Sequence, residues 1–365
     1  MDKTLKRELR RVPAERSIAQ AMGEMGAAIS SFGPALGFGQ VTSSHVPDDI
    51  DFVVATSGST GKSKEVGISR NALRASTQSA LTYLGAIPGQ KWSLLLPLTH
   101  IAGVNVLARS LELETEPIDL RNGQEFVDVD FTAIVPTQLY RAINGDKELL
   151  RHLQKAQAVL VGGDALADSL FESAKKADIN LITTYGMTET CGGCVYNSEP
   201  LPNVEIKISK DQKVQIKGPI LATTYLNDET TWNESFSSEW FTTSDLGTFE
   251  NGLLHIAGRA DEIIISGGEK ISLHAIEEVL AKKFPTKQLA ATSIPNPEWG
   301  SALYIVANDD SRADEIDISQ HLISNLGAVA KPKGFLYVEA IPLIGIGKVD
   351  RRALAEMVRE QGTNL

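Results

Sequence analysis

Short apolar runs alternate with segments of helical periodicity through the first half of the chain. Residues 51–56 (DFVVAT) are apolar and rich in β-branched side chains, which favours a buried strand, and the run stops abruptly in SGSTGKSK. A helix is expected from residue 69 to residue 84, with Ser69 or Asn71 as its N-cap and Gly85 at its end. The pattern therefore predicts a strand, a glycine-rich loop and a helix in succession.

The same alternation continues to residue 186. Further strands are expected at residues 93–97, 132–136, 158–163 and 180–186. Further helices are expected at residues 14–31, 103–111 and 138–143. Such alternation is typical of an α/β fold with a mostly parallel, helix-covered sheet, in which ligands bind at the carboxyl ends of the strands.

The pattern changes after Pro202. Short segments such as VEIKI and KVQIKG alternate apolar and polar residues and predict a small β-rich lobe. A charged junction at residues 259–261 precedes a strand, a glycine turn and an amphipathic helix. We therefore expect a large N-terminal domain at residues 1–259 and a small C-terminal α+β domain at residues 260–365.

The composition agrees with a two-domain globular protein. The chain has 365 residues, 42% of them hydrophobic and 22% charged, and no run of about 18 apolar residues that could span a membrane. Its formal net charge of -11 argues against a nucleic acid or an anionic membrane as partner, because phosphate groups are bound mainly by lysine and arginine. Together with the lack of a signal-peptide pattern, these observations predict a cytoplasmic protein.

The loop after the first strand has the composition of a phosphate-binding site. Its glycines allow backbone N–H groups to turn toward an anion, and its hydroxyl and ammonium groups supply further donors. A Walker-type P-loop is excluded by spacing, because that pattern requires a glycine at position 56 and Gly58 stands too close to Gly61. The residues expected to bind phosphate are Thr56, Ser57, Gly58, Ser59, Thr60, Gly61 and Lys64, with Lys62 as an alternative to Lys64.

Cys191 and Cys194 form a Cys-x-x-Cys pair. This spacing occurs in redox-active disulfides and in zinc sites, but the sequence has no second such pair and no His-x-x-x-His pair to complete a zinc site. We therefore expect both cysteines to be small side chains that line a crowded loop.

Seven motifs in order resemble the adenylate-forming superfamily, which comprises acyl-CoA ligases, luciferases and the adenylation domains of peptide synthetases. The motifs, from Thr56 to Arg351, are TSGSTGKSKEV, PLTHIAG, VLVGGDAL, TYGMTET, WFTTSDLG, GRADEIIISGGEKI and GIGKVDR. The resemblance implies an enzyme that joins a carboxylate to ATP with release of pyrophosphate, and then transfers the acyl group to a thiol. It also implies ATP, Mg²⁺ and CoA as the small molecules that the protein uses.

The resemblance implies roles for individual residues as well. Lys348 is expected to bridge the carboxylate and the α-phosphate as a catalytic cation, and Glu189 is expected to hold Mg²⁺. The nucleotide contacts are expected from Gly162, Gly163, Asp164, Tyr185, Gly186, Thr188, Asp245 and Arg259. The C-terminal domain is expected to be mobile, with a hinge at Asp261, and to offer Gly267 and Gly268 to the pantetheine arm of CoA.

Within the superfamily, the chain is similar to the short bacterial o-succinylbenzoate-CoA ligases. Only residues 1–55 precede the phosphate loop, and residues 97–111, 133–143 and 295–306 are similar to that family. The implied activity is the conversion of o-succinylbenzoate to its CoA thioester for menaquinone synthesis. The polar side chains expected in the acid pocket are His100, Asn105 and Gln138, of which His100 is also a candidate catalytic residue.

The chain departs from the superfamily pattern directly after the phosphate loop. Most members have Pro-Lys-Gly where this chain has Ser63, Lys64 and Glu65, and Glu65 brings a carboxylate close to the bound phosphates. We expect Glu65 to face solvent, because a repulsion of about 1 kcal/mol would otherwise oppose phosphate binding.

Three other interpretations stay open at this stage. A CoA ligase for a different acid would share the whole mechanism, whereas an adenylation enzyme that loads a carrier protein would use the carrier's thiol. A nucleotide-binding module without catalysis is a third alternative, and Lys348, Glu189 and Asp245 argue against it. The sequence also leaves open whether the protein is a monomer or a homodimer.

Overall fold

The computed structural model describes residues 7–30, 32–56, 63–123, 125–284, 288–308, 314–344 and 348–362. The chain divides into two compact units. The first unit contains residues 1–166, 173–243 and 249–255, and the second contains residues 167–172, 244–248 and 256–365. No helix in the described ranges combines the length and the apolar character needed to cross a membrane.

Helices occur throughout the described chain. They are α1 (Ile18–Ile29), α2 (Arg70–Leu84), α3 (Ile101–Glu112), α4 (Pro136–Ile143), α5 (Lys147–Lys155), α6 (Asp168–Lys176), α7 (Glu229–Glu234), α8 (Leu273–Lys283), α9 (Glu315–Leu326) and α10 (Arg351–Gly362). Helix α2 has the predicted caps, because the Ser69 side chain accepts a hydrogen bond from Ala72 N–H at 3.2 Å and Gly85 adopts a left-handed conformation.

The strands range from two to eleven residues in length. The first twelve are β1 (Arg7–Val12), β2 (Ala35–Phe38), β3 (His45–Val46), β4 (Phe52–Thr56), β5 (Lys64–Ile68), β6 (Trp92–Leu94), β7 (Ile118–Asp119), β8 (Phe131–Ile134), β9 (Ala158–Val161), β10 (Leu181–Met187), β11 (Gly192–Tyr196) and β12 (Glu199–Pro200). The others are β13 (Glu205–Ile208), β14 (Lys213–Lys217), β15 (Thr224–Tyr225), β16 (Phe236–Ser237), β17 (Trp240–Glu250), β18 (Leu253–Arg259), β19 (Ile263–Ser266), β20 (Glu269–Ser272), β21 (Leu289–Asn296), β22 (Gly300–Asn308), β23 (Gly334–Val338), β24 (Leu343–Ile344) and β25 (Lys348–Val349).

Two larger sheets confirm the α/β fold class. One has the order β12-β11-β10-β9-β8-β6-β7, and its strands from β10 to β7 are all parallel. Every residue of β8 and β9 is buried, as expected for parallel strands covered on both faces. The other sheet, β15-β5-β4-β2-β1-β3, differs from the expectation because antiparallel strands lie at both of its edges.

Smaller sheets make up the rest of the chain. The predicted β-rich lobe is the sheet β13-β14-β17-β16, with β18 beside β17. In the second unit, the sheet β20-β19-β22-β21, with β23 beside β22, packs against α8 and α9 through a core that includes Ile276, Leu303 and Leu322. The strand, glycine turn and amphipathic helix expected after residue 261 are therefore confirmed.

Strand β1 was not predicted, and a buried ion pair holds it in place. Asp51 is only 1% exposed, and its carboxylate accepts hydrogen bonds from the Arg7 guanidinium at 2.5 Å and from the Arg70 backbone N–H at 2.6 Å. Arg70 also forms an ion pair with it at 2.8 Å. Removing one member of such a buried group would leave an uncompensated charge, so it fixes β1 against the start of α2.

A buried histidine lies beside the parallel sheet. His152 of α5 is 4% exposed, with Nδ1 3.1 Å from the Val127 carbonyl and Nε2 2.9 Å from the Ser93 hydroxyl. Since a carbonyl only accepts, Nδ1 carries the proton. Burial lowers the pKa of His152 below its ordinary value, although the hydrogen bond to Val127 partly opposes this.

The pH dependence of stability follows from this shift. An unfolded histidine titrates near pH 6.5, so below about pH 6.5 the unfolded chain binds a proton that the folded chain resists. Stability should therefore fall as the pH drops below about 6.5, by at most about 1.4 kcal/mol per pH unit from this residue. The free energy of unfolding, measured with urea between pH 7.5 and 5.5, should change less steeply with pH in His152→Gln than in the wild type. His45→Gln, at an exposed position, is the control. If the free energy of unfolding of His152→Gln depended on pH as steeply as that of the wild type, His152 would not be the source of the effect.

Candidate active site

The antiparallel pair β4 and β5 frames the predicted phosphate loop. Thr56, the last residue of β4, pairs with Lys64, the first residue of β5, so the chain leaves the sheet and returns to it at one point. The residues between them that were predicted to bind phosphate, Ser57, Gly58, Ser59, Thr60, Gly61 and Lys62, lie outside the described residues. The expectation that the loop leads directly into α2 was wrong, because β5 intervenes.

Lys64 lies over an aromatic ring that the sequence analysis did not identify. Its Nζ atom is 4.3 Å from the centroid of the Tyr225 ring, which is within the range of a cation–π interaction. Strand β15 brings the ring there, because Tyr225 pairs with Val66 of β5. The Tyr225 hydroxyl in turn donates a 2.7 Å hydrogen bond to Oε1 of Glu189. One tyrosine therefore connects the two predicted ligand-binding residues Lys64 and Glu189.

The Tyr225 hydroxyl is a permanent donor. Burial, and then the negative charge of Glu189, raises the pKa of Tyr225. The phenol therefore stays protonated, and its hydrogen bond fixes the direction of the Glu189 carboxylate.

Glu189 lies in a short turn at the end of β10. The turn is a 3-10 helix, Thr188–Thr190, in which both threonines are buried. Thr190 Oγ1 accepts a hydrogen bond from Met187 N–H at 2.9 Å and donates one to the Gly192 carbonyl at 2.7 Å. These bonds fix the turn at the carboxyl edge of the parallel sheet, the predicted place for a ligand site.

Two predicted nucleotide-binding glycines lie where the backbone is crowded. A Cβ atom at Gly162 would be 2.1 Å from Thr184 Oγ1, and one at Gly186 would be 2.1 Å from the Gly192 carbonyl oxygen. No side chain can be accommodated at either position without movement of the neighbouring atoms. The other predicted nucleotide-binding residues in this region are Gly163 and Asp164, which follow β9, and Tyr185 and Thr188, which lie at the end of β10.

Helix α3 carries two of the three polar residues predicted for the acid pocket. His100 precedes the helix and is half-buried, and its carbonyl accepts the first helical hydrogen bonds. Asn105 is 1% exposed, and its Nδ2 donates a hydrogen bond to the Cys191 carbonyl at 2.8 Å. The structure therefore places Asn105 against the turn that carries Glu189.

Gln138, the third predicted pocket residue, contacts backbone groups at both ends of its amide. Its Oε1 accepts a hydrogen bond from Val135 N–H at 3.1 Å, and its Nε2 donates one to the Leu95 carbonyl at 3.2 Å. These contacts join the carboxyl ends of β6 and β8. They indicate that Gln138 positions the strands at the edge where ligands bind.

Arg109 is a buried cation on α3 that the sequence analysis missed. It is 4% exposed, donates a 3.1 Å hydrogen bond to the Tyr196 hydroxyl, and lies 5.0 Å from the ring of Trp92. Its Nε atom is buried and has no hydrogen-bond partner among the described residues, and no described carboxylate forms an ion pair with it. A buried guanidinium with an unpaired donor is suited to bind an anion. The helical pattern gave no sign of it, because arginine is ordinary on an amphipathic helix.

Glu65 does not face solvent, and that expectation was wrong. It is 1% exposed, and its carboxylate accepts hydrogen bonds from the backbone N–H and the hydroxyl groups of both Thr42 and Ser43. Burial alone would raise the pKa of Glu65, but these hydrogen bonds outweigh burial and lower it. The residues that receive the carboxylate lie outside any motif, which is why the sequence did not reveal them.

The second unit brings together three predicted residues. Arg259 makes two hydrogen bonds of 2.9 Å to the two carboxylate oxygens of Asp261, and its third nitrogen is 3.3 Å from Oδ1 of Asp245. The hydrogen bonds to Asp261, and then the charge of Asp245, raise the pKa of Arg259 despite its burial. Asp245 itself is 7% exposed. The predicted ribose-binding acid and the predicted hinge acid therefore share one arginine.

Gly267 and Gly268 form the turn between β19 and β20. Both have positive φ angles, of 60° and 87°, which a two-residue hairpin turn requires and which glycine adopts without strain. A Cβ atom at Gly267 would also come within 3.2 Å of the Trp299 ring.

Lys348 begins β25, whose backbone pairs with β24. Its side chain, like residues 345–347, lies outside the described part of the chain. The role predicted for this lysine therefore stays a prediction.

Cys191 and Cys194 are both buried in the hairpin after Glu189, and neither forms a disulfide. Burial, and then the nearby charge of Glu189, raises the pKa of the Cys191 thiol, which makes the reactive thiolate unfavourable.

The chemistry of Glu189 suits a magnesium ion. Tyr225 occupies Oε1 of Glu189, and Oε2 has no hydrogen-bond partner among the described residues. A hard cation prefers such a carboxylate oxygen together with phosphate oxygens and water. The described side chains include no group of three or more His, Cys, Asp or Glu that could form a complete metal site, so bound phosphates would have to supply further ligands.

Comparison with known proteins supports a common architecture. The family model described as AMP-binding enzyme matches residues 11–226. A Mycobacterium tuberculosis protein named probable 2-succinylbenzoate–CoA ligase is 33% identical over 329 residues, which are 85% of this chain and 85% of the relative. The 2-succinylbenzoate–CoA ligase of Listeria monocytogenes is 29% identical over 83% of this chain and 69% of its own length.

Solved structures show the same fold. The o-succinylbenzoate CoA synthetase MenE of Bacillus subtilis, in complex with its acyl-adenylate intermediate, aligns with a TM-score of 0.75 and 22% identity over 95% of this chain and 82% of that chain. An arginine-to-lysine variant of E. coli MenE, with bound OSB-AMS, aligns with a TM-score of 0.71 and 26% identity over 90% of this chain and 78% of that chain. ATP-bound MatB of Rhodopseudomonas palustris has a TM-score of 0.77 at 22% identity, over 88% of this chain and 71% of that chain.

The contact between Tyr225 and Glu189 should control the affinity for a divalent cation. Tyr225→Phe removes the hydrogen bond that orients the carboxylate, so the Mg²⁺ concentration that half-saturates ATP binding should rise by about tenfold or more. Tyr337→Phe is a matched control, because Tyr337 donates a similar 2.6 Å hydrogen bond to Glu315 in the second unit. Calorimetric titration of both variants measures the difference, and an equal Mg²⁺ requirement in the two would contradict this role of Tyr225.

Proposed function

Because the chain belongs to the AMP-binding enzyme family, we propose that it is an AMP-forming acid–CoA ligase that converts o-succinylbenzoate to o-succinylbenzoyl-CoA. The reaction uses ATP, Mg²⁺ and CoA and releases AMP and pyrophosphate. Relatives named 2-succinylbenzoate–CoA ligase, from several bacteria, support this acid. The thioester is an intermediate of menaquinone synthesis, which is the proposed pathway, and the proposed place is the cytoplasm, where ATP and CoA are available.

One observation in the structure supports the reaction type most directly. Lys64, at the exit of the phosphate loop, and Glu189, at the end of a parallel strand, are connected through Tyr225. A cation for phosphate and a carboxylate for Mg²⁺ therefore lie at one edge, as adenylation with a magnesium-bound triphosphate requires.

The first half-reaction joins the acid to the nucleotide. An oxygen of the aliphatic carboxylate attacks the α-phosphorus of ATP, the bond from that phosphorus to the β-phosphate oxygen breaks, and pyrophosphate leaves. Lys348 is proposed to contact both reacting groups and to stabilise the negative charge that spreads over them. Lys64 is proposed to neutralise phosphate charge from the loop side, and Glu189 would hold Mg²⁺, which would supply further neutralisation.

The remaining nucleotide contacts are proposed from the resemblance of the motifs to the superfamily. Gly162, Gly163 and Asp164 are proposed to pass over the adenine, with Tyr185 against it. Thr188 is proposed to contact the α-phosphate. Asp245 is proposed to accept hydrogen bonds from the ribose hydroxyls, with Arg259 beside them, because a carboxylate with two oxygens suits a pair of vicinal donors.

The second half-reaction transfers the acyl group. The CoA sulfur attacks the carbonyl carbon, the bond from this carbon to the AMP oxygen breaks, and the thiol proton passes to solvent. The domain of residues 260–365 is proposed to rotate about Asp261 between the two half-reactions, so that Gly267 and Gly268 replace Lys348 beside the substrate.

Arg109 is proposed to bind the second carboxylate of the acid. o-Succinylbenzoate carries a benzoate in addition to the carboxylate that is activated. Arg109 offers a buried guanidinium whose Nε has no described partner, on the same helix as Asn105, four residues further along the chain. His100 and Asn105 are proposed to line the same pocket, and Gln138 to hold its strand ends together.

Pyrophosphate release tests the proposed function. The enzyme with ATP and Mg²⁺ should release pyrophosphate with o-succinylbenzoate and not with a panel of other acids, and added CoA should then yield the thioester by mass spectrometry. Lys348→Ala should slow pyrophosphate release by about 100-fold or more, yet leave thioester formation from supplied acyl-adenylate within about twofold. Lys175→Ala, at an exposed position, is the control. Release with another acid would contradict the substrate, and no release with any acid would contradict the enzyme class.

A second prediction concerns the choice of acid. Arg109→Met should lower kcat/KM for o-succinylbenzoate by about 100-fold, because the benzoate loses its buried charge partner. The value for 4-oxo-4-phenylbutanoate, which lacks the ring carboxylate, should change by no more than about threefold. Arg74→Met, at an exposed arginine of α2, is the control. An equal loss with both acids would show that Arg109 only stabilises the fold.

A further inference from the structure

Glu65 stands out among the charged residues near the phosphate loop. It is 1% exposed, yet no described lysine or arginine forms an ion pair with it. Its four donors are neutral: Oε1 accepts from Thr42 N–H at 2.5 Å, from the Thr42 hydroxyl at 2.6 Å and from Ser43 N–H at 3.3 Å, and Oε2 accepts from the Ser43 hydroxyl. Burial of an isolated carboxylate costs desolvation free energy. A buried carboxylate with this many hydrogen-bond donors from the protein therefore indicates a specific role.

The segment that receives the carboxylate is itself fixed. Arg11 donates a 3.2 Å hydrogen bond to the Thr42 carbonyl, and Leu9 N–H donates one of 2.9 Å to the Ser44 carbonyl. Both donors belong to β1, which the buried Asp51 group holds in the sheet. Glu65 is therefore bound to a rigid support rather than to a loose loop.

The backbone of Glu65 also holds the chain segment that follows the phosphate loop. On its backbone, the N–H donates to Asn227 Oδ1 at 3.2 Å and the carbonyl accepts from Leu226 N–H at 2.9 Å. Asn227 Nδ2 donates in addition to the Ser63 carbonyl at 3.0 Å. The segment from Ser63 to Glu65 is thus held by Asn227 on one side and by Thr42 and Ser43 on the other.

The direction of Lys64 depends on this arrangement. Successive side chains of a strand point to opposite faces, so fixing Glu65 on one face of β5 directs Lys64 to the other. On that face Lys64 lies over the ring of Tyr225, whose hydroxyl donates a hydrogen bond to the carboxylate of Glu189. The same alternation keeps the negative charge of Glu65 away from the face that the phosphates would occupy.

We propose that Glu65 is a positioning residue for the polyphosphate of ATP: its buried carboxylate, bound by Thr42 and Ser43, fixes the exit of the phosphate loop and the direction of Lys64. This inference rests on the proposed function, because it requires that the loop binds ATP. It assigns to this chain an anchor in place of the glycine that the superfamily pattern has at this position.

The proposal is tested by the binding of three ligands that carry successively fewer phosphate groups. ATP with Mg²⁺, AMP and adenosine are titrated calorimetrically into the full chain and into Glu65→Gln. The glutamine keeps the size of the side chain but turns one acceptor into a donor facing Ser43. Affinity for ATP should fall by about tenfold, whereas affinity for AMP and adenosine should stay within about twofold. A merely structural role would weaken all three ligands alike.

Variants on the donor side give a second measurement. Ser43→Ala, at a half-buried position, should weaken ATP binding by about threefold, and the double variant should bind ATP about as weakly as Glu65→Gln alone. If Glu65→Gln does not fold, Ser43→Ala tests the role of Glu65 instead, by a loss of affinity for ATP that is larger than the loss for AMP and adenosine. Asp119→Asn is the control, because it neutralises a half-buried carboxylate that pairs with Arg121, away from the loop.

The outcomes separate the inference from the proposed function. Unchanged ATP affinity in Glu65→Gln and Ser43→Ala, or an equal loss for ATP, AMP and adenosine, would overturn the role of Glu65 while leaving the enzyme class intact. A wild-type protein that binds ATP no more tightly than adenosine would overturn the proposed function, and this inference with it.

Discussion

The pairing of β5 with β4 and β15 is the constraint on which the site depends. Pairing with β4 returns the chain to the sheet directly after the predicted phosphate loop. Pairing with β15 places the Tyr225 ring under Lys64 and its hydroxyl against Glu189. Without β5, the loop would have no fixed exit, and the carboxylate at the end of the parallel sheet would have no connection to it. A short strand of five residues thus joins the two larger sheets of the fold at their functional edge.

Buried charges in this protein are stabilised in three different ways. Asp51 is paired with two arginines and secures β1, whereas Glu65 is surrounded by neutral hydroxyl and backbone donors. Arg109 has a tyrosine hydroxyl and an aromatic ring but no described carboxylate. The first two groups are complete within the protein, whereas the Nε of Arg109 has no hydrogen-bond partner among the described residues.

The sequence was sufficient for the fold class and for the central elements. The caps of α2 and the strands of the parallel sheet follow from local chemistry and from apolar runs, so periodicity reveals them. Strand β1 and the short strand β15 were missed, because each is held by distant partners such as Asp51 and Val66 rather than by its own pattern.

The same difference applies to the candidate site. Motifs predicted Lys64, Glu189, Asp245 and Arg259 as site residues, since these motifs are contiguous in the sequence. The contacts that orient these residues come from Tyr225 and Asp261, and from segments with no motif, such as the one at Thr42. The environment of Glu65 was predicted wrongly for this reason, because the donors that make its burial possible are 22 and 23 residues away.

The central claim, that the acid is activated as an acyl-adenylate, is tested most directly by following an oxygen atom. o-Succinylbenzoate labelled with ¹⁸O in its aliphatic carboxylate is turned over with ATP, Mg²⁺ and CoA, and the AMP is analysed by mass spectrometry. The account predicts one ¹⁸O atom in each AMP, and none when the label is in the benzoate instead. Unlabelled AMP, or label in free phosphate accompanied by ADP, would contradict it.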